Sequence, residues 1–390
     1  MLRTWSVGKW LCANRNSARC VASLAVPTES QPVYKPVQFL TDETNPVKHG
    51  DNHLGMFYRM PDQDFERLFS VYQMCMPRYL EQSKALGGTF VMVRRPAVEI
   101  IQRLEKTDLS RPAIRYMLYG RYGAGKKLTM THVLHYAYTS NWVVVNVPHP
   151  RHWFKYRMEF NPSASDETLL DIPFIGAKLL AHFKSQNLSH FSTLRTTKPH
   201  EITKRQVIPE GAPLMELVDL GIQRVKHSNV VVNTLLGELK TLATKGECKV
   251  MVLIGGVNFF FQGTNHRKPD RSLYDVWDFS LARSLFSMVQ SDWNGGAIVS
   301  SLCVSSNSLN HRESHYPRYL LGRDGFEKLD PFLPVRVDNY SEQEFESCMD
   351  FYINKKWLVK PAAKTPIGRK ELAFVSAYNP LALNEISEGI

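Results

Sequence analysis

The sequence predicts an α/β fold of the P-loop NTPase-like, additional-strand class: a parallel sheet flanked by helices, with an N-terminal extension and a small helical C-terminal element. Three observations predict it. Short apolar runs at 114–119, 142–147, 250–254, 297–304 and 333–337 read as strands covered on both faces, as in a parallel sheet. The first run leads into YGRYGAGKKL at 119–128, where Gly120 and Gly125 keep the GxxxxGK spacing and Lys126 stands at the motif's lysine. Leu128, Val133 and Leu134 then recur at helical spacing, so the loop lies between a strand and a helix, the context the motif requires.

The elements follow in order. Residues 1–26 contain Arg3, Lys9, Arg15 and Arg19 and no acid, the composition of a mitochondrial transit peptide. Pro27, Pro32, Pro36 and Pro46 mark 27–53 as an extended linker, with folded sequence starting near Leu54. The region 54–110 is helical: Phe65, Leu68, Phe69, Tyr72 and Met76 give 64–86 a helical period, and 98–104 repeats it after Pro96. The core spans 111–338. Within it, 148–248 is a helical insertion with helices at 168–183, 214–225 and 230–242 and a loop at 185–206. Helices at 340–357 and 369–377 form the C-terminal element of 339–390.

Bulk properties narrow the function classes. A hydrophobic share of 43% describes a globular protein rather than a disordered one. The formal charge of +11 favours an anionic partner, with RNA, acidic proteins and lipid headgroups as candidates. No stretch reaches the roughly eighteen apolar residues of a spanning helix. The cysteines, Cys12, Cys20, Cys75, Cys248, Cys303 and Cys348, lack regular spacing and read as reduced thiols. His132 with His135, and His149 with His152, have no cysteine or acid cluster beside them and read as surface or packing residues rather than zinc ligands. Phe259, Phe260 and Phe261 read as core or interface, and no GxSxG or HExxH pattern occurs.

The candidate binding residues are Gly120, Arg121, Tyr122, Gly123, Ala124, Gly125, Lys126, Lys127, Leu128 and Ser300. Such a loop works because main-chain N–H groups and a helix N-terminus face the anion, glycines allow close approach, and the lysine reaches the terminal phosphates. Mg²⁺ needs something else, a loop hydroxyl and a nearby carboxylate. Here Lys127 stands where the hydroxyl belongs, and in VMVLIGGVNFF, at the end of the third strand, Gly255 and Gly256 stand where acids would. Two readings follow: a loop that binds nucleotide without metal and without efficient hydrolysis, or a relic that holds no ligand or only an anion. Ser300 and Ser301, at the fourth strand's end, read either as a contact to the terminal phosphate or as small strand-end residues. The guanine-recognition motif NKxD is absent; NKKW at 354–357 matches it by accident.

Longer segments carry a resemblance. MVRRPAVEIIQRLEKTDLSRPAIRYMLYGRYGAGK (92–126), VLIGGVNFFFQG (252–263), DWNGGAIVSS (292–301), LLGRDGFEKLDPFLPVRVDNYSEQEFESCMDFY (320–352) and SAYNP (376–380) resemble the mitochondrial small-subunit ribosomal protein family also called death-associated protein three. The resemblance runs from about Gly55 to the end. It implies a component of the mitochondrial ribosome in the matrix, in the head of the small subunit, contacting ribosomal RNA and neighbouring proteins and facing the large subunit. It also implies guanine nucleotide as ligand and an association with programmed cell death. The family's phosphate loop falls on 120–127, and it usually has threonine at the position of Lys127 and aspartate at that of Gly255. The expected role is therefore structural, with a nucleotide held without magnesium or not held at all. The competing expectations are an active GTPase or ATPase switch and an apoptotic adaptor.

Overall fold

The computed structural model describes residues 38–69, 71, 77–156, 158–163, 166–306 and 314–388. The transit-peptide reading, linker residues 27–37, Cys12, Cys20, Cys75, Tyr72 and Met76 lie outside the described residues. Strands β1 (Ile114–Tyr119), β2 (Val143–Val147), β3 (Val250–Gly255), β4 (Gly296–Ser301) and β5 (Leu333–Arg336) form one parallel sheet in the order β5-β1-β4-β3-β2. All residues of β2, β3 and β4 are buried, the expected consequence of covering both faces.

Successive side chains on these strands point to opposite faces, and the burial follows that alternation. Val143, Val145, Val147, Val252, Ile254 and Ile298 join one core cluster. Val144, Met251, Leu253, Val299 and Val335 join the other. The second face is covered by α1 (Arg95–Glu105) and α2 (Lys126–Thr139), together with Tyr58, Met60 and Leu68 from the N-terminal region. The first face is covered by the insertion helices α3 (Pro173–Gln186), α4 (Leu214–Gln223) and α5 (Ser228–Thr244), and by α6 (Ser280–Met288) and α7 (Pro317–Leu329). Helices α4, α3 and α5 pack closely because Gly221 presents no Cβ to Leu180 and Val231. Helices α8 (Glu342–Asn354), α9 (Pro366–Ser376) and α10 (Pro380–Glu388) form the C-terminal element and share a third cluster with Phe57, Phe90 and Met92. No helix among the described residues is long and apolar enough to cross a membrane.

Four expectations are corrected. The folded chain begins before Leu54: Leu40–Thr41 pairs with Phe57–Tyr58, and Pro46 and His49 are buried despite the proline-rich composition around them. The helix expected over 64–86 is described as two segments, Asp62–Phe69 and Pro77–Ala85. The helix expected from 168 starts at Pro173, because Leu170–Asp171 is a short strand paired with Asn161–Pro162. The 185–206 loop contains strand His200–Thr203, paired with Gln206–Ile208. Buried Glu238 of α5 holds that hairpin, accepting from Thr197 N (2.7 Å) and bonding His200 Nε2 (2.6 Å).

The N-terminal segment is fastened by imidazoles. His49 Nε2 bonds the carbonyl of Glu43 at 2.9 Å and must be the donor there. Its neutral ring therefore accepts at Nδ1, so His132 of α2 donates from Nε2 across 2.8 Å. That leaves His132 Nδ1 as a buried lone pair without a partner. His135, one turn further on, bonds Tyr58 at 3.2 Å and Asp64 at 3.3 Å, so the pair at 132 and 135 has a packing role. Burial pushes His49 and, more strongly, His132 below the usual imidazole range. A depressed folded value means that stability is fully present above the unfolded value, about 6.5, and falls as pH drops below it. Thermal melts from about pH 7.5 to about pH 5.5 should show a decreasing Tm, and a flat profile would show that neither ring is held neutral.

Candidate phosphate-binding loop

The loop is built by three positive-φ glycines between β1 and α2. Gly120 (φ 148°) leaves the strand where any Cβ would meet the carbonyl oxygen of Val337. Gly123 (φ 78°) turns the loop, and Gly125 (φ 101°) caps α2 in the left-handed region. No side chain caps this helix, so its first N–H groups face the loop's mouth. Ala124 is buried, whereas Arg121, Tyr122 and Lys127 are exposed, and Leu128 is half-buried. Lys126 folds back over the loop and donates to the carbonyls of Gly120 and Arg121, each at 2.7 Å. Burial pushes its ammonium down to about 8.

The loop is held from behind by residues far away in sequence. Arg94 donates from Nη1 to the carbonyl of Ala124 at 2.7 Å. Its fork grips Glu344 of α8 at 2.9 and 3.1 Å, and Nη2 also reaches the carbonyls of Asp338 and Asn339 at 3.0 and 3.2 Å. Asn379 donates to the carbonyl of Tyr122 at 2.8 Å, and its Oδ1 occupies the space a Cβ at Gly123 would need. Leu381 N closes the contact on Gly123 O at 3.2 Å. Sequence reading assigned Arg94, Glu344 and Asn379 no part in the loop. Local signals existed: Arg94 stands just before a Pro-initiated helix, Glu344 completes the S-x-x-E capping box at 341–344, and SAYNP holds Asn379.

The end of β3 explains its missing acid. Gly255 approaches the carbonyl oxygen of Pro148, just past β2, so closely that a Cβ would overlap it. A carboxylate at 255 requires that backbone to move. Gly256 (φ 72°) follows and donates its N–H to Ser301 Oγ at 3.2 Å. Among the described residues no group of three or more His, Cys, Asp or Glu could hold a metal ion. Lys127 and Gly255, at the two positions where a metal's side-chain oxygens would stand, offer Mg²⁺ none.

Of the sequence-selected residues, 120–128 come together around the mouth and Ser300 does not join them. Ser300 pairs with Met117, and its buried hydroxyl donates to the carbonyl of Tyr116 at 3.1 Å. Ser301 is the serine that reaches the neighbouring strand tip. Phe259 and Phe260 are buried core residues. The 354–357 stretch lies at the end of α8, far from any strand tip in the sequence of elements. Sequence reasoning left His149 and His152 as packing residues; their rings stack at 4.9 Å beside Arg151, beyond the end of β2.

The family model and the curated relatives agree with one another. The model of the family described as mitochondrial ribosomal death-associated protein 3 matches residues 91–385. The chain is 36% identical over 346 residues to Small ribosomal subunit protein mS29 of Mus musculus, covering 89% of this chain and 88% of that protein. It is 34% identical over 346 residues to the protein of the same name in Bos taurus, covering 89% and 87%. A Neurospora crassa protein with that name is 23% identical over 212 residues, 54% of this chain and 45% of its own length.

The Arg94 contacts make a specific prediction. Removing a buried, paired guanidinium strands Glu344 and several carbonyls, so Arg94→Ala should destabilise the fold by about 3 kcal/mol or more in urea unfolding. A change below about 1 kcal/mol, the range of an exposed ion pair, would contradict the geometry.

Proposed function

The chain belongs to the mitochondrial ribosomal death-associated protein 3 family, and on that premise we propose that it is a structural constituent of the mitochondrial small ribosomal subunit. The observation that carries this reading is the 36% identity to a small ribosomal subunit protein across 346 residues, close to the full length of both chains. In this role the protein resides in the mitochondrial matrix, in the head of the subunit, and contacts ribosomal RNA, neighbouring proteins and the large subunit. Its charge of +11 suits the phosphate backbone.

The sheet order β5-β1-β4-β3-β2, with the glycine loop after β1, supports the additional-strand P-loop class. In this reading the loop amides, the α2 N-terminus and Lys126 hold the phosphates of a guanine nucleotide. The nucleotide stabilises the state that binds it and acts as a pin. Hydrolysis is not supported, because Lys127 offers no lone pair and Gly255 no carboxylate for a metal, and nothing at the end of β3 orients water.

Two measurements test the proposal. In sucrose gradients of mitochondrial lysate the protein should sediment with the small subunit; finding it only in a free pool would refute the ribosomal role. Purified protein mixed with GTP should show no multiple turnover, and steady phosphate release would refute the non-hydrolysing role.

A further inference from the structure

In the parallel sheet the carboxyl ends of β2, β3 and β4 lie side by side, and the residues that follow them include cations rather than acids. Pro148, the first residue past β2, lays its carbonyl against Gly255 at the end of β3. Three residues on, Arg151 donates from Nη1 to Ser305 Oγ at 3.4 Å, beyond the end of β4. The guanidinium thus reaches from the β2 exit to the β4 exit, and its Nε is buried without a partner. His149 and His152 stack beside it at 4.9 Å with an interplanar angle of 15°. Burial pushes His149 down to about 3, and the charges that add to the shift are all positive: Lys127, His152 and Arg151. Lys127 and Arg151 likewise lower His152 after burial. A concentration of like charge in a partly desolvated place is relieved by an anion.

We infer that Lys127, Arg151 and His149 bind the terminal phosphate of a nucleoside triphosphate seated on the loop, where a divalent cation would otherwise sit. This rests on the reading that the loop holds a nucleotide. The chemistry is complementary: Arg151 offers a planar fork that matches phosphate oxygens, and Lys127 offers a compact point charge. The neutral imidazole of His149 supplies one further N–H. Gly255 leaves no carboxylate beside them to repel the anion. A triphosphate is then favoured over a diphosphate, and Mg²⁺, by occupying the same phosphate oxygens, competes with the protein's cations.

Calorimetric titration of the full chain with GTP and with GDP, in Mg²⁺ and in EDTA, tests this. GTP should bind more tightly in EDTA than in Mg²⁺. Arg151→Gln should weaken GTP by about tenfold or more while changing GDP little, since truncating one side of a desolvated charge pair costs that much. Lys127→Gln should act in the same direction, and its exposed position keeps folding out of the comparison. Tighter GTP binding in Mg²⁺, or variants that weaken GTP and GDP equally, would overturn the inference while leaving the loop reading intact. A wild-type chain that binds neither nucleotide would overturn both.

Discussion

The arrangement depends on the guanidinium of Arg94. It touches the glycine loop, the segment leaving β5 and helix α8 together. Its side chain is 9% exposed and that of Glu344 16%, so the pair lies in a place where an unmatched charge would be intolerable. Several acceptors converge on the same fork and remove that difficulty. The cost of burying the cation is met only when the loop, the β5 exit and α8 are all in place. A local sequence feature, the phosphate loop, thereby acquires a shape enforced over long range.

The same logic of close approach explains what the site lacks. Gly120 and Gly255 are each pressed against a carbonyl oxygen of a neighbouring segment, Val337 and Pro148 respectively. At Gly120 the crowding shapes the anion cradle. At Gly255 it occupies the space from which an acid would project. The absence of a metal ligand there is therefore a packing feature of the β2–β3 junction, and it is consistent with the loss of the hydroxyl at Lys127. Cradle and metal site are separable because main-chain amides build one and side chains build the other.

Much of the fold was legible in the sequence. The five strands and α2 were marked by apolar runs and glycine spacing, which report local burial directly. The loop at 120–128 was legible because its glycine spacing sets the backbone turn locally. What stayed hidden depends on register or on distant partners. Ser300 and Ser301 differ only in which way they point, and pairing with β1 decides that. Pro46 and His49 read as linker because the buried partner of His49, His132, is eighty-three positions away. Helix α7 was not read from the sequence; it is kinked at Gly322, whose φ of 68° is not helical.

The clasp of Asn379 and Leu381 on Gly123 has a bearing on how the protein matures. A polypeptide is made from its amino end, and its early segments can begin to organise before the last ones exist. The loop's glycines emerge long before Asn379 and Leu381, which hold them in shape. Until then the loop is under-determined, however complete the sheet beneath it. A product truncated before Asn379 would carry the glycine motif without the contacts that shape it.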